Sequence, residues 1–176
     1  MEGAKVSGLL LSSNFFFFLP SFTFDLSRTF VMTTAEEQLF SAADRGRVSE
    51  VSSLLRNHPE INVNWTNPDN QFTALHRASP DGDSEVVKLL LAHPNISVNL
   101  KDSIGQTSLS KGCEKGRVSV VRLLLKDPRV DVTLDDNRGR TPLWRASQYG
   151  NREVIEWLIA SGRDLGDVKN KKGNCP

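Results

Sequence analysis

Three stretches of this chain recur at a fixed interval, and that interval constrains the fold more than any other feature. TALHRASPDGDSEVVKLLLAHP starts at Thr73, TSLSKGCEKGRVSVVRLLLKDP at Thr107 and TPLWRASQYGNREVIEWLIASG at Thr141, so both intervals are 34 residues. A divergent copy, EQLFSAADRGRVSEVSSLLRNHP, precedes them. Its Leu39, Gly46, Val51, Leu54 and Leu55 match Leu75, Gly82, Val87, Leu90 and Leu91 at an interval of 36. The two extra residues belong to the loop between. A strict period of this length marks stacked units, each too small to bury its apolar face alone. An ordinary helical bundle has no need of such a register.

Each unit reads as two short helices. In the second, Val86, Val87, Leu89, Leu90 and Leu91 put apolar side chains around most of the circumference, as suits a helix buried between neighbours. The first carries Leu75 with Ala78, Leu109 with Gly112, and Leu143 with Ala146, and the small partner lets adjacent helices approach closely. Gly82, Gly116 and Gly150 fall between the helices, where a positive φ is needed. Asp83 and Asn151 follow as expected N-caps of the second helix.

TPLWRA, TALHRA and the altered TSLSKG resemble the TPLHxA signature of the ankyrin repeat, whose usual period is about 33 residues. EVVKLLL, SVVRLLL and EVIEWLI resemble that family's second helix. VNLKDSIGQT and VTLDDNRGRT resemble its β-turn finger, with Gly105 and Gly139 at the tip. The resemblance runs from Glu36 to the C-terminus. It implies an all-α repeat solenoid of helix-turn-helix units joined by finger loops, with repeats near 36–68, 69–102, 103–136 and 137–170. It also implies protein–protein binding, with the partner set by variable surface residues.

Several departures carry expectations of their own. Gln71 stands where Gly105 and Gly139 stand in the later fingers, which leaves that turn type open. Pro59, Pro94 and Pro128 are stops after the second helices, and Pro80 is expected to end a first helix early. Only Ser161-Gly162-Arg163-Asp164 keeps the family's GxD-like ending. Ser108 and Ser110 replace Pro and His in the third unit, which should make it the softest.

At the N-terminal end of the array, Glu37, Gln38 and Ser41 suit a cap whose outer face meets water. At the other end, Gly173, Cys175 and Pro176 align with Gly139, Thr141 and Pro142, so residues 171–176 read as the start of a further, truncated repeat. The fourth unit's face, with parts of Trp157, Leu158 and Ile159, would then lack a neighbour.

Residues 1–35 read as a leader outside the array. The stretch SSNFFFFLPSFTF is interrupted by polar residues and stopped by Pro20, too short for the roughly 20 apolar residues of a spanning helix. A secretion signal fits better, with Lys5 in its n-region, but its cleavage site is weak. Met32 offers a natural start, and a leader absent from the working protein is the favoured reading. Cys113 and Cys175 have neither metal-ligand spacing nor a disulfide framework, which favours a reducing compartment. The expected location is cytoplasmic, with nuclear as the alternative and secretion through residues 1–35 less favoured.

No catalytic constellation emerges, and neither cofactor nor metal is expected. His58 and His93 precede prolines at helix C-termini, where a cation suits the dipole; His76 occupies the family's scaffold-histidine position. Cys113 reads as a small helix residue. The sequons at Asn64 and Asn95, and the basic-flanked Ser49 and Ser119, are explained as well by chance or by shared ancestry of the repeats. A formal net charge of +1 argues against a nucleic-acid or polybasic membrane partner, and no small-molecule substrate is expected.

The expected binding residues follow the family's finger tips and first-helix face. Phe72, Ile104 and Gln106 lie at fingers, and Arg77, Lys111 and Arg145 follow the His position as a ladder of cations. Lys115, Arg138 and Arg140 extend it, Tyr149 adds aromatic surface, and Trp144, which replaces the scaffold His, reads equally as aromatic surface or as half-buried packing. Such a ladder would either steer an acidic partner or simply solvate the face while Asp81, Glu114 and Asp135 neutralise it. The expected function is a non-catalytic scaffold or adaptor. The alternative is the targeting portion of a longer enzyme or channel.

Overall fold

The computed structural model describes residues 33–166 and 172–175. The expected leader up to Met32, and residues 171 and 176 of the expected further repeat, lie outside the described residues. Four helix pairs make up the array: α1 (Ala35–Asp44) with α2 (Val48–Asn57), α3 (Ala74–Asp81) with α4 (Ser84–Leu91), α5 (Ser108–Glu114) with α6 (Val118–Lys126), and α7 (Pro142–Gln148) with α8 (Arg152–Ala160). No strand occurs among the described residues.

The threonine of each repeat starts its first helix. The hydroxyls of Thr34, Thr73, Thr107 and Thr141 each accept the backbone N–H three residues on, a cap worth about 1 kcal/mol. Glu37 and His76 return the bond to the threonine N–H, at 3.1 and 3.2 Å. Because Thr34 is a cap and Ala35 is already helical, the array takes in the last residues assigned to the leader.

The second helices start differently from expectation. Asp83 and Asn151 occupy the N-cap position, yet neither side chain caps its own helix. The preceding glycines are left-handed, with φ of 89° at Gly82 and 68° at Gly150. That turn aims the next side chain back at the neighbouring repeat. Asn151 donates to the carbonyls of Cys113 and Glu114 at 2.8 and 2.9 Å, and Arg117 donates to that of Pro80 at 2.6 Å. These side chains thus satisfy first-helix C-terminal carbonyls of the preceding unit.

Pro80 does not end its helix early. It lies inside α3, which runs on to Asp81. Its ring keeps a helical φ but forfeits the N–H that would bond the carbonyl four residues back, a local cost that α3 accommodates without stopping. Pro59, Pro94 and Pro128 follow helix ends at Asn57, Leu91 and Lys126.

First helices stack on first helices and second on second, each also packing on its own partner. Contacts are therefore between neighbours, as in other solenoids. The core runs through Leu39, Leu75 and Leu109 of the first helices and Val51, Val87, Val121, Leu90, Leu124 and Leu158 of the second. Ile61 with Val63, Ile96 with Val98, and Val130 with Val132 bury the returning loops. Leu158, expected to lack a neighbour, is fully buried, whereas Trp157 and Ile159 are exposed. Arg122 lies 4.2 Å above the Trp157 ring.

Candidate functional site

The fingers are tight turns closed by an Asx side chain. In the second, Asp102 Oδ1 accepts the N–H of Ile104 and of Gln106 at 3.0 and 2.8 Å. In the third, Asp136 Oδ1 accepts those of Arg138 and Arg140 at 2.8 and 3.0 Å. The first finger is one residue longer and uses neutral Asn67, whose Oδ1 accepts Phe72 N–H at 2.8 Å. Gln71 there adopts φ 58°, the left-handed conformation that Gly105 and Gly139 take at 82° and 75°. The open turn type is thus the glycine one, held by a non-glycine residue. Finger joins finger through Asn137 N–H to Ile104 O and Ser103 N–H to Asn70 O, at 3.1 and 3.0 Å.

The second carboxylate oxygen of each aspartate faces the first helix. Lys111 Nζ lies 2.8 Å from Asp102 Oδ2. Asp136 Oδ2 takes Arg140 at 2.8 Å and Arg145 at 2.6 Å. Burial would raise the Asp136 carboxyl, but hydrogen bonds from Arg140 and Arg145 outweigh it and hold it below the usual carboxylate range. Arg145 also donates to Glu114 Oε2 at 2.7 Å, and Gln106 Nε2 donates to the same oxygen at 2.9 Å. With an amide, Asn67, rather than a carboxylate closing its finger, Arg77 pairs instead with Asp44 of the preceding repeat.

The cation ladder is therefore a set of ion pairs rather than a free rim. Arg145 is 5% exposed and Lys111 12%, against 36% for Arg77. Of the neutralising acids named from the sequence, Glu114 is in contact, while Asp135 serves Lys101 and Arg77 takes Asp44 rather than Asp81. The residues that sequence reading missed are Asp44, Asp102 and Asp136. A signal existed: an acid nine residues before the cation recurs as Asp102–Lys111 and Asp136–Arg145.

The expected binding residues fall into two groups on this face. Phe72 is half-buried, stacked on His76 at 6.1 Å, with Lys111 Nζ 4.1 Å and the Arg77 guanidinium 5.9 Å from its ring centre. Ile104, Gln106, Arg138, Arg140, Arg145 and Tyr149, with Glu114 and Asn137, line one groove of about 400 Å³. Ile104 and Tyr149 are exposed there, and Arg138 is exposed as well. Gln106 and Arg145 are buried and form the groove's floor. Lys115 is exposed beside Glu114, at 3.9 Å. Trp144, read as either aromatic surface or half-buried packing, is buried; its indole N–H donates to Asn174 O at 3.2 Å, and Arg140 lies 5.5 Å from its ring centre.

His76 is buried, with Nδ1 on Thr73 and Nε2 3.0 Å from Gln106 O. Burial pushes its pKa down, partly opposed by the bond to Gln106. Burial likewise raises the Cys113 thiol far above its ordinary value, a poor state for a nucleophile. Asn64 of the first sequon bridges repeats, donating to Asn95 O at 2.7 Å and accepting Ser97 N–H at 2.8 Å. Ser49 and Ser119 are exposed in the first turns of α2 and α6. Among the described residues no cluster of His, Cys, Asp or Glu could hold a metal, and no helix is long and apolar enough to cross a membrane.

Residues 28–102 and 97–169 match the family described as "Ankyrin repeats (3 copies)". The chain is 31% identical over 91 residues to the probable E3 ubiquitin-protein ligase XBOS32 of Oryza sativa subsp. japonica, covering 52% of this chain and 18% of that protein. It is 29% identical over 91 residues to the E3 ubiquitin-protein ligase XBAT32 of Arabidopsis thaliana, again with 18% of that protein covered. To the Notch-regulated ankyrin repeat-containing protein B of Danio rerio it is 41% identical over 69 residues, 38% of this chain and 61% of that protein. The chain thus spans a small part of the two plant relatives and under two thirds of the fish protein.

Proposed function

Because the chain belongs to the ankyrin repeat family, we propose that it is a non-catalytic scaffold or adaptor whose fingers and first helices bind a protein partner. Ankyrin repeats form protein–protein interaction modules, and the specific role rests on one observation above the others. Exposed Ile104, Arg138 and Tyr149 converge on a single groove beside the half-buried Phe72. Exposed aromatic and arginine side chains around a well-packed floor are the composition of binding hot spots. Partner capture by the triple variant Phe72→Ala, Ile104→Ala, Tyr149→Ala, against a Lys126→Ala control on α6, tests this. Loss in the triple variant alone is expected; retention there with loss in the control overturns the reading.

A second reading is motivated by the 18% coverage of the plant ligases: these repeats would be the targeting portion of a longer protein. The full reading frame of the native transcript separates the two. Cytoplasm is the proposed location, with the nucleus second. It is supported by the unpaired Cys113 and Cys175 and by an Asn64 amide already engaged in the fold.

A further inference from the structure

We infer that the groove between the second and third fingers binds an extended segment of the partner through one Asp or Glu side chain, seated on Arg138 between the apolar walls of Ile104 and Tyr149. This rests on the proposed interaction role and names the chemistry of its site.

Charge accounting leads to the carboxylate. Arg140 is committed to Asp136, and Arg145 is shared between Asp136 and Glu114. Both acids lie in or under the floor, with Asp136 wholly buried and Glu114 18% exposed. Three guanidinium groups against two carboxylates leave a positive surplus, to which Lys115, 3.9 Å from Glu114, adds from outside the groove lining; within the groove it sits on Arg138, which is exposed and forms no ion pair among the described residues. A single carboxylate answers the one unpaired guanidinium of the groove. A dianionic phosphate there would meet Glu114, which already holds the floor as a resident carboxylate.

Rigidity supports the same site. Glu114 is fixed by Arg145 and Gln106 at 2.7 and 2.9 Å, and Lys111 holds Gln106 Oε1 at 3.2 Å. Arg138's own backbone N–H is tied to Asp136. The floor therefore has little side-chain entropy left to lose when a ligand arrives. Of five large hydrophobic side chains exposed among the described residues (Val48, Ile104, Tyr149, Trp157 and Ile159), two wall this one groove. They can cover the methylenes and flanking apolar residue of a bound Glu.

The test is an amide NMR titration of the full chain with three probes: acetyl-Leu-Glu-Leu-amide, its Gln analogue and its phosphoserine analogue. The Glu peptide should shift the amides of Ile104, Arg138 and Tyr149, and bind at least about 5-fold tighter than either analogue, a factor that corresponds to about 1 kcal/mol. Arg138→Glu should remove that preference with an unchanged thermal midpoint, since the side chain makes no hydrogen bond or ion pair among the described residues. Glu114→Gln, if it folds, should tighten the Glu peptide and rescue the phosphoserine one. Equal binding of the Gln analogue, preference for phosphoserine, or no shifts with any probe each overturn the inference. Shifts confined to Phe72 and Arg77 would overturn it while sparing the broader interaction reading; shifts confined to α4 and α6 would sink both.

Discussion

The first and third fingers occupy equivalent places in their repeats, and each faces a first-helix arginine, yet the two arginines do different work. Arg145 is 5% exposed, clamped by Asp136 from its own finger and Glu114 from the preceding repeat. Arg77 is 36% exposed, pairs with Asp44 of the preceding repeat and leans on Phe72. The difference starts with one residue: Asp136 closes the third finger, Asn67 the first. A carboxylate has an oxygen to spare for a cation; an amide has only its N–H₂ there. Aligned cations can thus be scaffold in one repeat and surface in another, depending on whether the residue that closes the adjoining turn is an acid.

The largest test of this contrast is Asp136→Ala. It leaves Arg145 and Arg140 short of their buried partner and should cost about 3–5 kcal/mol. Asn67→Ala loses only a turn bond, about 1 kcal/mol. Urea unfolding of both variants measures the gap, and equal losses would contradict the buried-clamp account.

The junctions beneath the fingers come next. His76 Nε2 meets Gln106 O, and Trp144 Nε1 donates to Asn174 O, each 30 residues on. Ser110 is too short for this, and its buried hydroxyl has no partner. His76→Ala should cost about 2 kcal/mol, through lost packing and an orphaned carbonyl, whereas Ser110→Ala should be near neutral or stabilising. His76 also sets an acid limit. Its folded pKa lies below the unfolded 6.5, so its stability contribution is intact above about pH 6.5 and is lost as pH falls through the folded value. His76→Gln should flatten the stability profile in that window; an unaltered profile would mean the imidazole is not the group responsible. The Asp136 contribution, from a lowered carboxyl, is lost only as pH falls below its ordinary 3.8.

Two smaller effects return to the first finger. Gln71→Gly should stabilise by about 0.5–1 kcal/mol, because a side chain at φ 58° is strained where glycine is not. The melting midpoint should rise slightly; a fall would show that the Gln71 side chain makes a compensating contact. Arg77→Ala should cost less than about 1 kcal/mol, as expected for a partly exposed ion pair. A loss as large as that of Asp136→Ala would erase the distinction between the two arginines.

How much of this could be read along the chain depends on how far apart the deciding atoms lie. The two-helix unit, its threonine caps and its left-handed glycines are local, and spacing alone exposes them. The proximity of six expected residues was legible: Ile104, Gln106, Arg138, Arg140, Arg145 and Tyr149 do line one groove. Their individual exposure was not, because it depends on acids contributed by a finger nine residues earlier or by another repeat. Asn151 shows the same limit: the cap position is local, but the partner of the side chain is a carbonyl in the unit before. Trp144 could be read as surface or as packing and is buried, because what decides its burial lies about 30 residues away.

A period of 34 residues with small and apolar side chains at matched places was therefore enough to dictate stacked helix pairs, since each pair must bury its face on the next. Which cations stay available for a partner was settled only when the repeats met. Ion pairing acts over a few ångströms and across units, and a repeat read singly does not contain both partners.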